Sequence, residues 1–307
     1  MQDGHSLDFT PVRLTDYDRI YAYTSRFGEG SCQHSPVSMY SLAEKYGDAV
    51  CEYDSVLFTL RNKLCSSKYR VYLAPLGDAR SMGTAYAKIA GDAAAYGKKA
   101  CFFTLTQAQT KVLEEALPGR FTISEDRDLA EYFYSTEVMA SFSGHALQRK
   151  RGEIHAFWAA YSSRASVVPI QPSDMAEVLD FEHKWLAGNA QTHDAEALER
   201  ESRMIELQMA YFDALHLCGV IAYIDGRICG FTYGTKLCEN VFDAIIEKGS
   251  REVPHLYKVL RQELAKQCAC GCTYINIEED LGVEGLRAMK LAYHPHHLLR
   301  KYRATEK

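Results

Sequence analysis

The spacing of apolar positions along the chain changes period many times, and each change marks an element. Residues 9–14 alternate apolar and polar as a short strand. Thr15 and Asp16 then supply N-cap chemistry for a helix through residue 21. Residues 28–36, Gly-Glu-Gly-Ser-Cys-Gln-His-Ser-Pro, read as a loop, and 38–46 as a short helical stretch. Strands follow at 49–53 and 56–61, with Asp54-Ser55 as their turn, and at 69–74. The segment 79–97, rich in Ala and Lys, is a helix with Gly97 as its C-cap residue. Residues 100–105 form an apolar strand, and 107–117 a helix stopped by Pro118-Gly119. Strands at 121–124 and 129–134 close the set.

The second half repeats this order after a helix at 144–161. A strand at 167–171 precedes a helix capped by Ser173 and running to 186. Asp194 caps a longer helix to about 215, with Leu198, Ile205, Met209 and Phe212 on one face. Residues 217–224 and 227–235 form a hairpin around Asp225-Gly226, a strong turn signal. A strand at 241–247, a helix at 256–268, a strand at 273–277 and a helix at 284–291 complete the half. Both halves run strand, helix, helix, three antiparallel strands, helix, strand, helix, which points to duplication of one domain. The expected division is 1–140, a connecting basic helix at 141–163, and 164–307. A crossover helix between the fourth and fifth strands makes each sheet mixed. This order resembles the layout of GNAT-type acyltransferases, so the expected fold class is α/β with two tandem GNAT-like domains. A fold by itself does not fix a function.

Composition narrows the classes. The chain has 307 residues, enough for two ordinary domains, with 47% hydrophobic and 24% charged residues. No window approaches the roughly 18 apolar residues of a membrane span. The start, Met1-Gln-Asp-Gly-His-Ser, lacks the pattern of a signal peptide. The ten cysteines are scattered, as expected of reduced thiols in a cytoplasmic protein. A formal net charge of −5 argues against bulk nucleic-acid binding and leaves room for a local basic site.

Three stretches sharpen the reading. They are Tyr132-Phe-Tyr-Ser-Thr-Glu137 with Ser143-Gly-His-Ala-Leu-Gln-Arg-Lys-Arg151; Asp225-Gly-Arg-Ile-Cys-Gly-Phe-Thr-Tyr-Gly234 with Ile246-Glu-Lys248; and Asn276-Ile-Glu-Glu-Asp-Leu-Gly-Val-Glu-Gly-Leu-Arg287 with Lys290-Leu-Ala-Tyr-His-Pro295. Together they resemble the family of proteins similar to the C-terminal domain of phosphatidylglycerol lysyltransferase, over nearly the whole chain. The resemblance implies a tandem GNAT fold. It also implies kinship with enzymes that move an aminoacyl group from aminoacyl-tRNA to a lipid or to an amine of a peptidoglycan precursor. The chain differs from the lysyltransferase in having no membrane domain, which leaves the acceptor open.

Several residues then become candidates. His145, Arg149, Lys150 and Arg151 cluster near the start of the 144–161 helix, opposite Leu147, Ile154, Trp158 and Tyr161. They could grip phosphates of a tRNA acceptor end, or they form a solvated face. Glu278-Glu279-Asp280 ends a buried-looking strand, where α/β folds place ligands. Glu279 or Asp280 could deprotonate an attacking amine, and Asp280 could equally cap the next helix. Lys290 and Tyr293 are similar to Lys-x-x-aromatic pairs near the ends of peptidoglycan-bridge aminoacyltransferases, where a lysine could neutralise an oxyanion or a phosphate. Glu247 is another possible base, or half of a surface ion pair with Lys248.

In the first half, Arg80-Ser-Met-Gly83-Thr-Ala85 fits the pyrophosphate loop by which GNAT enzymes hold acetyl-CoA; the equivalent 249–255 segment breaks the pattern. A metal site is not expected, because Cys268, Cys270 and Cys272 alternate and lack Cys-x-x-Cys spacing, with His294, His296 and His297 beyond them. No nucleophile elbow is present. Three functions remain in view. The first is aminoacyl transfer to an amine or hydroxyl of a small or carrier-linked acceptor, with aminoacyl-tRNA as donor. The others are acetyl-CoA-dependent N-acetylation and a non-catalytic ligand-binding module.

Overall fold

The computed structural model describes residues 6–189 and 195–307. The expected cap at Asp194 and the first five residues lie outside them. In the first half the strands are β1 (Thr10–Pro11), β2 (Asp48–Tyr53), β3 (Val56–Arg61), β4 (Tyr69–Tyr72), β5 (Lys99–Leu105), β6 (Phe121–Glu125) and β7 (Glu131–Ser135). The second half supplies β8 (Ala165–Pro169), β9 (Leu217–Ile224), β10 (Arg227–Cys238), β11 (Val241–Gly249), β12 (Tyr274–Glu279), β13 (His297–Leu299) and β14 (Tyr302–Glu306). They form two seven-stranded sheets. The first has the order β1-β2-β3-β4-β5-β14-β6, and the second β8-β9-β10-β11-β12-β7-β13.

Both sheets are mixed. β4 runs parallel to β5, and β11 parallel to β12, each across a crossover helix (Ala79–Ala95 or Leu256–Gln267). The pairs β1–β2, β2–β3, β3–β4, β5–β14, β14–β6, β8–β9, β9–β10 and β10–β11 are antiparallel. The two orders correspond position by position, and the chain has a tandem GNAT-like α/β fold. One exchange breaks the sequence order. β14 fills the slot between β5 and β6, while β7 fills the slot between β12 and β13. The compact units are accordingly discontinuous. One comprises the chain through Tyr132 with Glu279–Ala288 and Leu298–Lys307; the other comprises Phe133–Glu278 and Met289–His297. The linear division expected at 140 and 164 has no place for these returns.

In the first unit the sheet and the helix Ala79–Ala95 enclose an aromatic core. Phe58, Tyr72, Tyr86, Phe102 and Phe121 are buried there with Leu60, Ile89 and Ala93. The Tyr72 hydroxyl donates to Asp92 at 2.6 Å, so these two buried polar groups are paired. In the second unit the helix Leu256–Gln267 buries Leu256, Val259, Leu260 and Leu264. The β9–β10 hairpin turns through Asp225 and Gly226, both at positive φ, as the dipeptide predicts. A register shift follows Tyr233 in β10. There the backbone of Gly234 passes so close to β11 that a Cβ would stand 1.7 Å from the Asp243 carbonyl oxygen.

β11 and β12 pair only over Val241–Asp243 and Tyr274–Asn276. Beyond that point the ladder stops, although β11 continues to Gly249 and β12 to Glu279.

Candidate functional site

The interruption of the β11–β12 ladder opens a pocket in the second unit. Ala244 and Glu247 of β11, Ile275 and Ile277 of β12, and Thr232 of β10 line it with Arg261, Leu264 and Met139. It encloses about 320 Å³, its mouth included. Residues two apart on a strand share a face, whereas neighbours point to opposite faces. Ala244 and Glu247 are three apart, and the ladder irregularity in this stretch brings both to the pocket.

Glu247 does not pair with its neighbour Lys248. Arg261 grips it through Nε, 3.0 Å from both carboxylate oxygens, and through a second guanidinium nitrogen at 2.6 Å. Burial raises the Glu247 pKa, against the pull of Arg261. The same guanidinium lies 4.5 Å from the centre of the Tyr293 ring. Lys290 is buried and its ammonium donates to the Ile277 carbonyl, while its own carbonyl accepts from Tyr134 at 2.8 Å. Glu247, Lys290 and Tyr293 therefore gather around Arg261, a residue absent from the sequence candidates. Its signal was the spacing of Tyr257, Arg261 and Leu264 on one helical face.

The other two acidic candidates belong to the first unit. Asp280 is fully buried. One oxygen accepts from Arg287 Nε at 2.9 Å, Arg127 at 3.2 Å and the Tyr132 hydroxyl; the other accepts from Arg287 at 2.7 Å and the Gly282 amide at 2.9 Å. Burial alone would raise its pKa, but Arg287 and the other donors hold it well below the usual carboxylate range. It folds the turn before the helix Glu284–Leu291 by accepting from Gly282, rather than capping that helix at its first residue.

Glu279 is half-buried and accepts from the Gln33 amide at 3.2 Å and the Cys32 thiol at 3.6 Å. Gln33 is anchored in turn by Arg61 at 2.9 Å. Behind it, Glu131 and Lys301 form a fully buried ion pair at 2.6 Å, with Ser31 bonded to both. The loop at 28–36 is thus a buried polar structure. His34 within it is 1% exposed, and among the described residues neither ring nitrogen has a hydrogen-bond partner. Burial, then Lys301 and Arg61, lower its pKa to about 3.

The basic helix, now Gln148–Tyr161, divides by role. His145 and Arg149 are exposed, and Arg149 stands 3.6 Å from Glu153. Lys150 donates to the Ala292 carbonyl and lies 4.8 Å over the Tyr293 ring. Arg151 is tied to the carbonyls of Phe142 and Gly144. Lys258, 3.1 Å from Glu153, extends the cationic surface toward Arg261.

Arg80, Gly83 and Ala85 do not form a loop. All three lie within the first two turns of the helix Ala79–Ala95, where the amides of Gly83 and Ala85 fall in the intrahelical ladder. Among the described residues no group of three His, Cys, Asp or Glu side chains could hold a metal ion, and no helix is long and apolar enough to cross a membrane.

Comparison with known proteins places this geometry in a family. A crystal structure of a conserved Bacteroides thetaiotaomicron protein of unknown function is 30% identical, with a TM-score of 0.90, over 98% of this chain and 100% of that one. The C-terminal domain of an Agrobacterium fabrum protein described as a lysylphosphatidylglycerol synthetase shares 13% identity and a TM-score of 0.65, over 95% of this chain and 92% of that one. The L-PGS of Bacillus licheniformis shares 14% identity and a TM-score of 0.63, over 100% of this chain and 94% of that one. These two share the fold. No curated protein matches the chain. The family model for the phosphatidylglycerol lysyltransferase C-terminal domain matches residues 25–305. The chain belongs to the phosphatidylglycerol lysyltransferase C-terminal family, a family of transferases with an acyltransferase-like fold.

Proposed function

We propose that this protein is an aminoacyltransferase that moves an aminoacyl group from aminoacyl-tRNA to an amine or hydroxyl acceptor. The observation that carries the reading is the pocket opened where β11 and β12 part, with a buried carboxylate and guanidinium on its wall. An aminoacyl ester is already reactive toward amines, so positioning and charge stabilisation suffice for catalysis. The acceptor nitrogen or oxygen attacks the ester carbonyl and a new C–N or C–O bond forms. The ester C–O bond breaks, and the ribose hydroxyl leaves with a proton. Glu247, raised by burial, is suited to accept the attacking group's proton. Arg261 and Lys290 are cations suited to the developing oxyanion, and Tyr293 packs beneath Arg261. Arg149, Lys150 and Lys258 supply positive charge for the phosphates of an acceptor end. Arg80–Ala85 lies in the first two turns of its helix, and acetyl-CoA is kept as the alternative donor.

Thermal unfolding with a nonhydrolysable aminoacyl-adenosine mimic, with acetyl-CoA and with buffer tests the donor. A ligand that binds only the folded state raises the midpoint. A rise with the aminoacyl mimic alone is expected. A rise with acetyl-CoA alone would replace this reading by N-acetylation, and silence with both would favour a different donor or a binding module. Glu247→Gln is expected to lower transfer about 10²–10⁴-fold. Because it also strips Arg261 of its counter-charge, some loss of midpoint is expected, and transfer is compared at a temperature where both proteins are fully folded. A stability loss large enough to account for the missing activity would make Glu247 structural.

A further inference from the structure

The face of the second unit's sheet opposite the Glu247 pocket carries a second charged group. Glu182 stands in the apolar register of the helix Met175–Asn189, beside Val178, Phe181 and Trp185, and is fully buried. Among the described residues, neither carboxylate oxygen has a hydrogen-bond partner. A buried carboxylate is costly unless it is paired and hydrogen-bonded. The cations acting on it are Lys248, 4.0 Å away, and His183. Lys248 is spent largely elsewhere: its ammonium is bonded to Glu201 and lies 3.7 Å over the Trp185 ring. The Ser202 hydroxyl is buried and close enough to Glu182 to lower its pKa, yet makes no hydrogen bond of normal geometry. Tyr233 also faces both glutamates, but its hydroxyl donates to Gln208 at 2.6 Å.

The group therefore holds two carboxylates and a hydroxyl as acceptors, one aromatic face, and a single lysine. It is short of donors and of positive charge. An ammonium supplies three donors on a compact cation, and an aromatic ring accepts it face-on. A neutral hydroxyl supplies one donor and no charge. Lys248 demonstrates the fit, since an ammonium already rests there. Glu201 is 38% exposed at its side chain, which connects the group to solvent.

We infer that Glu182, Glu201, Ser202 and Trp185 form a subsite for the ammonium group of a primary amine, in which Lys248 stands until the ligand enters. That this amine is the acceptor of the transfer rests on the function proposed above; its binding does not. Burial raises the Glu182 pKa to about 7, against the pull of Lys248, and a cation entering beside it favours its charged form.

The test is thermal unfolding and calorimetric titration of wild type, Glu182→Gln and Lys248→Met. The probes are 1,5-diaminopentane and, as the neutral isostere, 1,5-pentanediol, at matched ionic strength. The diamine is expected to raise the wild-type midpoint, and to raise that of Lys248→Met further, because the internal competitor is gone. Pentanediol should move neither, and Glu182→Gln should lose the diamine-specific rise. An equal response to diol and diamine, an unchanged diamine response in Glu182→Gln, or no diamine response in wild type would overturn the inference. If Lys248→Met fails to fold, calorimetry on wild type and Glu182→Gln decides alone. No donor is present in this experiment, so its failure leaves the transferase reading standing.

Discussion

Glu279 and Asp280 are adjacent carboxylates with opposite surroundings, and the difference assigns them different work. Asp280 accepts from two arginines, a tyrosine and an amide, so no lone pair is left for a substrate proton. It anchors the turn that follows β12. Asp280→Asn should destabilise the protein by about 1–3 kcal/mol in urea unfolding, since Tyr132, Arg127 and Arg287 lose a shared buried acceptor while both arginines stay partly exposed and Arg287 keeps Asp128. Glu279 accepts from Gln33 and Cys32 among its partners. Its replacement by Gln should spare stability, and a loss of transfer would then mark it as part of the chemistry.

His34 gives a pH prediction. Its folded pKa is lowered to about 3 from an ordinary 6.5, so between these values the unfolded chain binds a proton that the folded chain refuses. Stability from this residue is complete above pH 6.5 and falls on acidification, by about 1.4 kcal/mol for each pH unit below it. His34→Gln should flatten the decline between pH 7.5 and 5.5. An identical decline in the variant would show that other groups set it.

At the scale of elements, the β10–β11 pair shows how much a single side chain decides. Gly234 leaves no room for a Cβ beside Asp243. Gly234→Ala should cost more than about 3 kcal/mol, measured by chemical denaturation, because relief requires the two strands to shift register.

Much of this layer was legible in the sequence. The Asp225-Gly226 turn fixed the hairpin, and the helix Glu284–Leu291 follows its apolar spacing. Other elements came out differently for local reasons. The stretch 38–46 is two short helices, Pro36–Ser41 and Ala43–Tyr46, and β1 shrinks to Thr10–Pro11. β13 and β14 were not anticipated, being short and separated by Arg300-Lys301. Periodicity tells which face of a strand is buried, and not which sheet the strand joins. That is why residues 129–134 read as closing the first set of strands, yet 131–135 form β7 in the second sheet. The site was legible as a set of chemical groups and not as pairings. Glu247 beside Lys248 suggested an ion pair, but alternation along β11 sends them to opposite faces, one to Arg261 and the other to Glu182 and Glu201. A glutamate in the apolar register of the 175–189 helix marks the second charged group in the sequence itself.

For the molecule as a whole, the exchange of β7 and β14 makes each sheet depend on a distant part of the chain. β14 sits between β5 and β6 with antiparallel hydrogen bonds on both sides. Removing residues 301–307 takes away that strand and the Lys301 that neutralises Glu131. The truncated protein, and a fragment comprising residues 1–140, should both lack a cooperative unfolding transition by circular dichroism. Sharp melting of the fragment would show that β14 is dispensable.

The exchange also has a consequence in time. A ribosome adds about 5–20 residues each second, so β14 is made roughly 10–30 s after residue 140. Throughout that interval β5 and β6 present unpaired edges flanking an empty slot, the kind of surface that recruits foreign strands. For this protein the nascent chain, rather than the finished one, is the form most exposed to aggregation, and its yield in a cell should respond to chaperone supply more than to the stability of the native state.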